Sequence, residues 1–305
     1  MHKSVLLEPS IAYLNLKEDS IIVDATLGYG GHSSVILKEI KKGFLFAFDQ
    51  DIEAIQYSDK RLQEVSSNYE IIKSNFVFMT DELAKRNVHE LDGVLFDLGV
   101  SSPQLDEEER GFSFHKDAPL DMRMDQSQEF KAYDVVNTYS KQELIRIFKE
   151  YGEEKFASSI ATGIVKSRET KPIETTLELA EIIKNHVPEK YRRQKHPARK
   201  VFQAIRIEVN QELDVCEKAV RQALQLIKVG GRVCVITFHS LEDRLVKNIF
   251  KEYSMIDPNL KRLPVIPEEY LPNYKVIANI SPTEEEIKEN NRARSARLRV
   301  IERIK

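Results

Sequence analysis

Two loops carry the residues whose types and spacing could do chemistry. Val-Asp-Ala-Thr-Leu-Gly-Tyr-Gly-Gly-His (23–32) sets Gly28, Gly30 and Gly31 between an apolar run and a helical pattern. Glycine there permits positive φ and removes the Cβ that would block a ligand, and the helix that follows offers unpaired N–H groups. Asp-Leu-Gly-Val-Ser-Ser-Pro-Gln-Leu-Asp (97–106) puts a carboxylate, Asp97, and a Ser-Pro pair at the end of another apolar run. Asp49 ends a third run about twenty residues beyond the glycines, where an acid commonly binds a ribose hydroxyl pair. Together these predict a nucleotide-like cofactor at the carboxyl edge of a parallel sheet, with a polar reacting group beside it.

The glycine loop alone does not choose the cofactor. A dinucleotide fingerprint needs a third glycine where this chain has Ser33. An acid opening the loop, Asp24, is instead typical of methyltransferases, near the amino-acid end of S-adenosylmethionine. The rival of another enzyme class is a nicotinamide-dependent dehydrogenase, which shares the strand–glycine–acid pattern. The rival outside enzymes is an RNA-binding assembly factor with a vestigial pocket. In amino-group methyltransferases an Asp/Asn/Ser-Pro-Pro-aromatic turn follows the fourth strand. Here Ser101-Ser102-Pro103-Gln104 lacks the aromatic, and no separate base-reading domain of a DNA amino-methyltransferase is visible. Phe112 and Phe114 are the candidates to stack on a base, against an equal case that both are core.

Asp97 is the candidate acceptor for an amine proton. His239, in Thr-Phe-His-Ser-Leu-Glu-Asp-Arg (237–244), invites a general-base role. An exocyclic cytosine amine has its lone pair delocalised into the ring, so alignment and an acceptor matter more than a strong base. A structural role for His239 is equally open.

The elements that must position these residues are short and alternate. Ser20–Asp24, Phe44–Phe48, Tyr69–Lys73 and Gly93–Phe96 read as buried strands. His32–Ile40 and Asp51–Val65 between them have helical spacing. Strands that are apolar throughout and alternate with helices indicate a parallel sheet covered on both faces. From 106 to 205 the pattern is charged and helical. A strand returns at Gly230–Phe238 after the amphipathic helix Glu212–Ile227, and Lys275–Ala278 and Leu298–Ile301 read as closing edge strands. The expected organisation is α/β, a doubly wound mostly parallel sheet with an inserted helical domain. Residues 1–105 and 206–305 form the sheet domain, and residues 106–205 form the insertion, which would recognise the substrate.

With 305 residues, 31% of them charged, and a net charge of −3, a chain coated in positive charge is excluded but a local basic patch is not. Lys190–Arg206 holds seven basic residues (Lys190, Arg192, Arg193, Lys195, Arg199, Lys200, Arg206) and no acid, which favours phosphate contact over a solvated face. Arg297 and Arg299 add to a second cluster at 291–299, which fits an edge strand with outward charges equally well. Two cysteines, Cys216 and Cys234, and histidines without paired spacing give no disulfide framework and no metal site. There is no secretion signal and no apolar run long enough to span a membrane, so a cytoplasmic location is expected.

Taken together, the motifs resemble the bacterial 16S ribosomal RNA cytosine-N4 methyltransferases of the RsmH/MraW family. The resemblance runs from His2-Lys3-Ser4-Val5-Leu6-Leu7 to Arg292-Ala293-Arg294-Ser295. It includes Gly-Gly-His (30–32), Arg-Gly-Phe-Ser-Phe (110–114), Pro-Leu-Asp-Met-Arg-Met-Asp (119–125), Tyr-Gly-Glu-Glu (151–154), His-Pro-Ala-Arg (196–199) and Phe-Gln-Ala-Ile-Arg-Ile (202–207). It implies a Rossmann-like class I methyltransferase that uses S-adenosyl-L-methionine. Its substrate would be the N4 amine of one decoding-centre cytidine in 16S rRNA, within the 30S subunit, with neither DNA nor membrane as partner. Cofactor contacts carried over by the resemblance fall on Gly30, Gly31, His32, Asp49, Phe76, Asp97 and Gln104. RNA contacts are expected at Arg192, Arg193, Lys195, Arg199 and Lys200. Ala-Thr-Leu-Gly (25–28) stands where the family often has Gly-Thr-Phe-Gly, a mild apolar change.

Overall fold

The computed structural model describes residues 4–99, 108–193, 196–256, 259–260 and 266–305. They fall into two units, 1–99 with 213–305, and 100–212.

The first unit is built on seven strands: β1 (Ile21–Asp24), β2 (Phe44–Asp49), β3 (Tyr69–Lys73), β4 (Leu91–Asp97), β5 (Ile227–Thr237), β6 (Tyr274–Ile280) and β7 (Arg297–Arg303). They lie in the order β3-β2-β1-β4-β5-β7-β6. β3 to β5 are parallel, and β7 runs antiparallel to both β5 and β6. The order reverses between β1 and β4, and ligands of open α/β sheets bind in the crevice at such a reversal, beyond the carboxyl ends of the strands.

Alternation along the strands feeds two cores. Val94 and Phe96 of β4 and Val233 and Val235 of β5 face one side, packed with Met79 and Leu83 of α4 (Met79–Ala84), Ala219 and Ala223 of α11 (Glu212–Leu226), and Ile249 and Phe250 of α12 (Ser240–Ser254). Leu95, Cys234 and Ile236 face the other, against Leu14 of α1 (Leu7–Leu14), Ile36 and Leu37 of α2 (Gly31–Glu39), and Leu62 of α3 (Ile52–Gln63). With apolar residues on both faces, such strands read as continuous apolar runs.

The antiparallel pair corrects one expectation. β7 is an interior strand, hydrogen-bonded on both sides, and of this pair only β6 is an edge. Arg299 is accordingly buried, its guanidinium donating to Asp243 Oδ1 and Oδ2 of α12 at 2.7 and 3.0 Å. Arg297 donates to Asn279 Oδ1 of β6. These arginines hold the sheet's antiparallel end together.

The second unit is helical: α5 (Ala132–Thr138), α6 (Lys141–Glu150), α7 (Ala157–Arg168), α8 (Thr176–Asn185), α9 (Glu189–Arg192) and α10 (Ala198–Asn210). Ser140 with Glu143 and Thr175 with Glu178 form capping boxes that start α6 and α8. Leu144, Ile147 and Phe148 of α6 meet Ile160 and Ile164 of α7, Leu179 and Ile183 of α8, and Val201, Phe202 and Ile205 of α10 in one core. Phe112 is part of that core, so it is no base platform.

Candidate active site

Asp24, Asp49 and Asp97 end three neighbouring parallel strands, so the sheet itself brings the acids to one edge. The loop after β1 is tied into them. Asp49 Oδ2 accepts from Gly28 N–H at 2.8 Å, and its Oδ1 accepts from Asp51 N–H at 2.9 Å. Asp97 N–H donates to Thr26 Oγ1 at 2.6 Å, joining β4 to the same loop. Asp24 accepts from Ser33 Oγ at 2.6 Å and from Thr26 N–H at 3.1 Å. Gly28 and Gly30 have φ of 51° and 69°, the left-handed region that favours glycine. A Cβ on Gly28 would meet nothing within 4 Å, so the loop leaves open space there.

The electrostatics are unusual for a neutral-pH surface. Burial pushes Asp97 up to about 8, helped by the Asp24 and Glu242 carboxyls. Burial also raises Asp24, against the hydrogen bonds from Ser33 and Thr26, and raises Asp49 to about 6. His32, nearly inaccessible on α2, is pushed down to about 4 by burial, which the Val5 backbone only partly offsets. Its Nδ1 lies 3.6 Å from Asp97 Oδ2. Without a ligand both partners are therefore neutral near neutral pH, and a cationic ligand beside Asp97 would draw its carboxyl back to the ionised form. His32 Nε2 and Asp97 Oδ1 are buried without a hydrogen-bond partner. Buried polar atoms are nearly always paired, so two orphans, one on α2 and one at the end of β4, make this a candidate ligand site.

This arrangement has a consequence for stability. Asp97 binds its proton more tightly folded than unfolded, where its pKa is about 3.9. The stabilisation is complete below that unfolded value and is lost as the pH rises through about 8. Asp97→Asn is uncharged throughout. Its Tm advantage over the parent should widen by several degrees between pH 5 and pH 8.5, and a constant gap in a thermal melt series would refute the buried neutral carboxyl. His32 and Asp49 titrate in both proteins and cancel.

The acids fit S-adenosylmethionine better than a dinucleotide. None of the interactions that shift Asp24 or Asp97 comes from a cation of the protein, so a ligand carrying sulfonium and ammonium charge would supply it. A pyrophosphate would instead meet carboxylates. Asp24, Asp49, Asp97, Gly28, Gly30, Gly31 and His32 are the candidates to hold such a ligand. Phe76 starts a short helical turn after β3, half-buried, with its ring edge-on to Phe96 at 5.7 Å. Gln104 and the Ser-Ser-Pro-Gln turn lie outside the described residues.

His239 lies two residues beyond Thr237, the last residue of β5, and is the N-cap of α12. Its Nδ1 accepts from Glu242 N–H, and Glu242 Oε2 accepts from the Phe238 N–H at 2.9 Å. The structure gives it a capping role, although its Nε2 sits 3.0 Å from Glu242 Oε1 without hydrogen-bond alignment. Sequence reasoning missed Thr26, Ser33 and Glu242. The His-x-x-Glu spacing of a capping box was a readable signal for Glu242.

The basic segment lies in the helical unit and is only partly free. Arg192 donates to the Val187 carbonyl, Arg193 pairs with Glu189, Lys200 donates to the Glu153 carbonyl, and Arg206 pairs with Glu212. Arg199 is exposed and has no partner among the described residues. Lys195 lies outside them.

An aligned relative from Exiguobacterium sibiricum, a ribosomal RNA small subunit methyltransferase H, is 52% identical over 307 residues, spanning 100% of this chain and 98% of the relative. Among solved structures, an rRNA methylase from Streptococcus thermophilus covers 100% of this chain and 99% of its own at 13% identity and a TM-score of 0.46. A methyltransferase from Streptococcus mutans in complex with SAH covers 99% of each chain at 13% identity and a TM-score of 0.46. Likeness at that level is one of outline only. The model of one family matches residues 1–304, essentially the whole chain, and the chain belongs to that family, the MraW methylases.

Proposed function

We propose that this methylase transfers a methyl group to the N4 amine of a cytidine in the small-subunit ribosomal RNA, within the assembled 30S particle in the cytoplasm. The observation that carries the reading is the 52% identity, over the whole chain, to a small-subunit rRNA methyltransferase. S-adenosylmethionine supplies an electrophilic methyl and leaves as S-adenosylhomocysteine. Gly28, Gly30 and Asp49 would hold it, and Asp24 and Asp97 would meet its positive charge. Asp97 Oδ1, which has no protein partner, is the acceptor that an exocyclic amine needs. A hydrogen bond to that oxygen would turn the nitrogen lone pair out of conjugation and receive the departing N4 proton. The helical unit would read RNA by shape and phosphate more than by sequence.

The deciding experiment is methyl transfer from labelled donor to small subunits lacking their own modification, with free RNA and duplex DNA as parallel acceptors. Label mapped to a cytosine N4 in the small-subunit RNA is the expected result. Label at another base or on DNA would overturn the reading. Arg199 should carry most of the phosphate contact of its segment. Arg199→Ala should lower the slope of log affinity against log salt by about 0.7 in filter binding to single-stranded RNA. Arg193→Ala should change it much less, because Glu189 already neutralises that charge. Parental slopes for both variants would remove the segment from the RNA contact.

A further inference from the structure

The helical unit carries an aromatic group at the margin of its core. Phe114 is half-buried, with one edge on the buried Phe202 ring at 5.6 Å. The imidazole of His196 lies almost flat on Phe114, with centroids 4.5 Å apart and planes 20° apart. His115 closes the group, 4.3 Å from Phe114 and 5.4 Å from His196. Both histidines are exposed. An exposed stack of planar rings is an unusual use of surface, because aromatic area left in water forfeits its burial energy.

The state of His196 is fixed by its neighbours. Its Nδ1 accepts from Ala198 N–H at the start of α10, which places the ring proton on Nε2. Burial, with His115 and Lys184 nearby, lowers its pKa further below the ordinary imidazole value. The ring is thus a neutral plate with one N–H donor, held parallel to a phenyl ring. Arg199 follows in the same first turn of α10, exposed and unpaired among the described residues. Two acids of neighbouring segments are engaged elsewhere: Asp117 accepts from the Leu177 N–H, and Glu181 is paired with Lys184. A flat neutral surface beside a free guanidinium matches an unpaired nucleobase followed by its phosphate.

We propose that Phe114 and His196, with His115 at the margin, stack an unpaired base of the RNA substrate, and that Arg199 takes an adjoining phosphate. The proposal rests on the reading of the chain as an RNA methylase and names the subsite by which the helical unit holds the strand. A neutral stacking plate confers affinity without charge, so its loss should weaken RNA binding at every salt concentration alike, unlike loss of Arg199.

The test uses the full chain and a labelled single-stranded RNA dodecamer in fluorescence anisotropy, with thermal melting alongside. His196→Asn keeps an acceptor for the Ala198 N–H and deletes the ring. His196→Phe keeps the ring and deletes the acceptor. Stacking predicts about tenfold weaker RNA binding for His196→Asn, with an unchanged salt slope and Tm, and near-parental binding for His196→Phe despite a lower Tm. A purely capping histidine predicts the opposite order, and that order would overturn the proposal, as would parental binding by both variants. Methyl transfer by the parent protein separates this failure from the other. A parent that methylates small-subunit RNA while His196→Asn binds normally loses the platform but keeps the activity. A parent that methylates no RNA loses the function on which the platform rests.

Discussion

Asp97→Ala should lose at least about a hundredfold in the rate of methyl transfer while remaining folded. The backbone bond that places β4, Asp97 N–H to Thr26 Oγ1, does not involve the side chain and survives the substitution. The deleted carboxyl is only partly exposed, has one buried oxygen without a partner, and is held neutral in the ligand-free protein by a pKa pushed up to about 8. Removing it relieves a cost and creates none comparable, so a lost rate cannot be blamed on unfolding. Removal of a single placed group that meets charge or a proton in the transition state typically lowers turnover by about 10²–10³. The measurement is single-turnover transfer from labelled S-adenosylmethionine to small ribosomal subunits at saturating donor. Asp97→Asn keeps an acceptor oxygen and should fall between. Retention of more than about a tenth of the parental rate by Asp97→Ala would remove this carboxyl from the chemistry.

Gly28→Ala should raise the dissociation constant for S-adenosylmethionine at least about tenfold at modest cost to the fold. The added Cβ meets no protein atom within 4 Å, so the only internal penalty is the positive φ of 51°, worth about 1–2 kcal/mol for an L residue. The space it enters is the space a ligand would take. Gly43 provides the contrast: a Cβ there would meet the Ser20 carbonyl oxygen at 2.0 Å, so Gly43→Ala should damage folding before it touches binding. Calorimetric titration of Gly28→Ala decides the matter. Parental affinity with the expected small loss of Tm would mean that the loop turns the chain and holds nothing.

The sheet was legible because its strands are short, apolar throughout and each closed by a polar residue. Tyr69–Lys73 matches the observed strand at both ends, and β1 and β2 differ by one residue at one end. Burial on two faces writes itself into sequence as an unbroken run, and the acids Asp24, Asp49 and Asp97 mark where the runs stop. The position of β7 was not legible. A strand with arginine at alternate places looks like an edge until Asp243, fifty-six residues earlier, is known to neutralise Arg299. The role of Asp49 was half visible. Its type and spacing announce a ribose partner, but only the fold shows that it also fixes Gly28. The electrostatic character of the site was hidden for the same reason, since Asp24, Asp97 and Glu242 lie far apart in sequence. In the helical unit, composition exposed the basic segment but could not separate Arg199 from Arg192, Arg193 and Lys200, which bond within their own unit.

The strand order also governs how the protein can be made. β4 and β5 are hydrogen-bonded neighbours, yet the whole of the helical unit is translated between them, and β7, the last strand in chain order, must enter between β5 and β6. During synthesis β5 therefore waits as an open edge, with Cys234 and Val235 facing unpaired ladder positions until Arg299 and Val300 arrive. Exposed edges of this kind recruit other strands, and pairings so distant in sequence form slowly. The helical unit has its own core and can settle first. A ribosome stalled before residue 297 would release a half-built sheet with a sticky centre, so nascent-chain aggregation should fall abruptly once β7 has emerged.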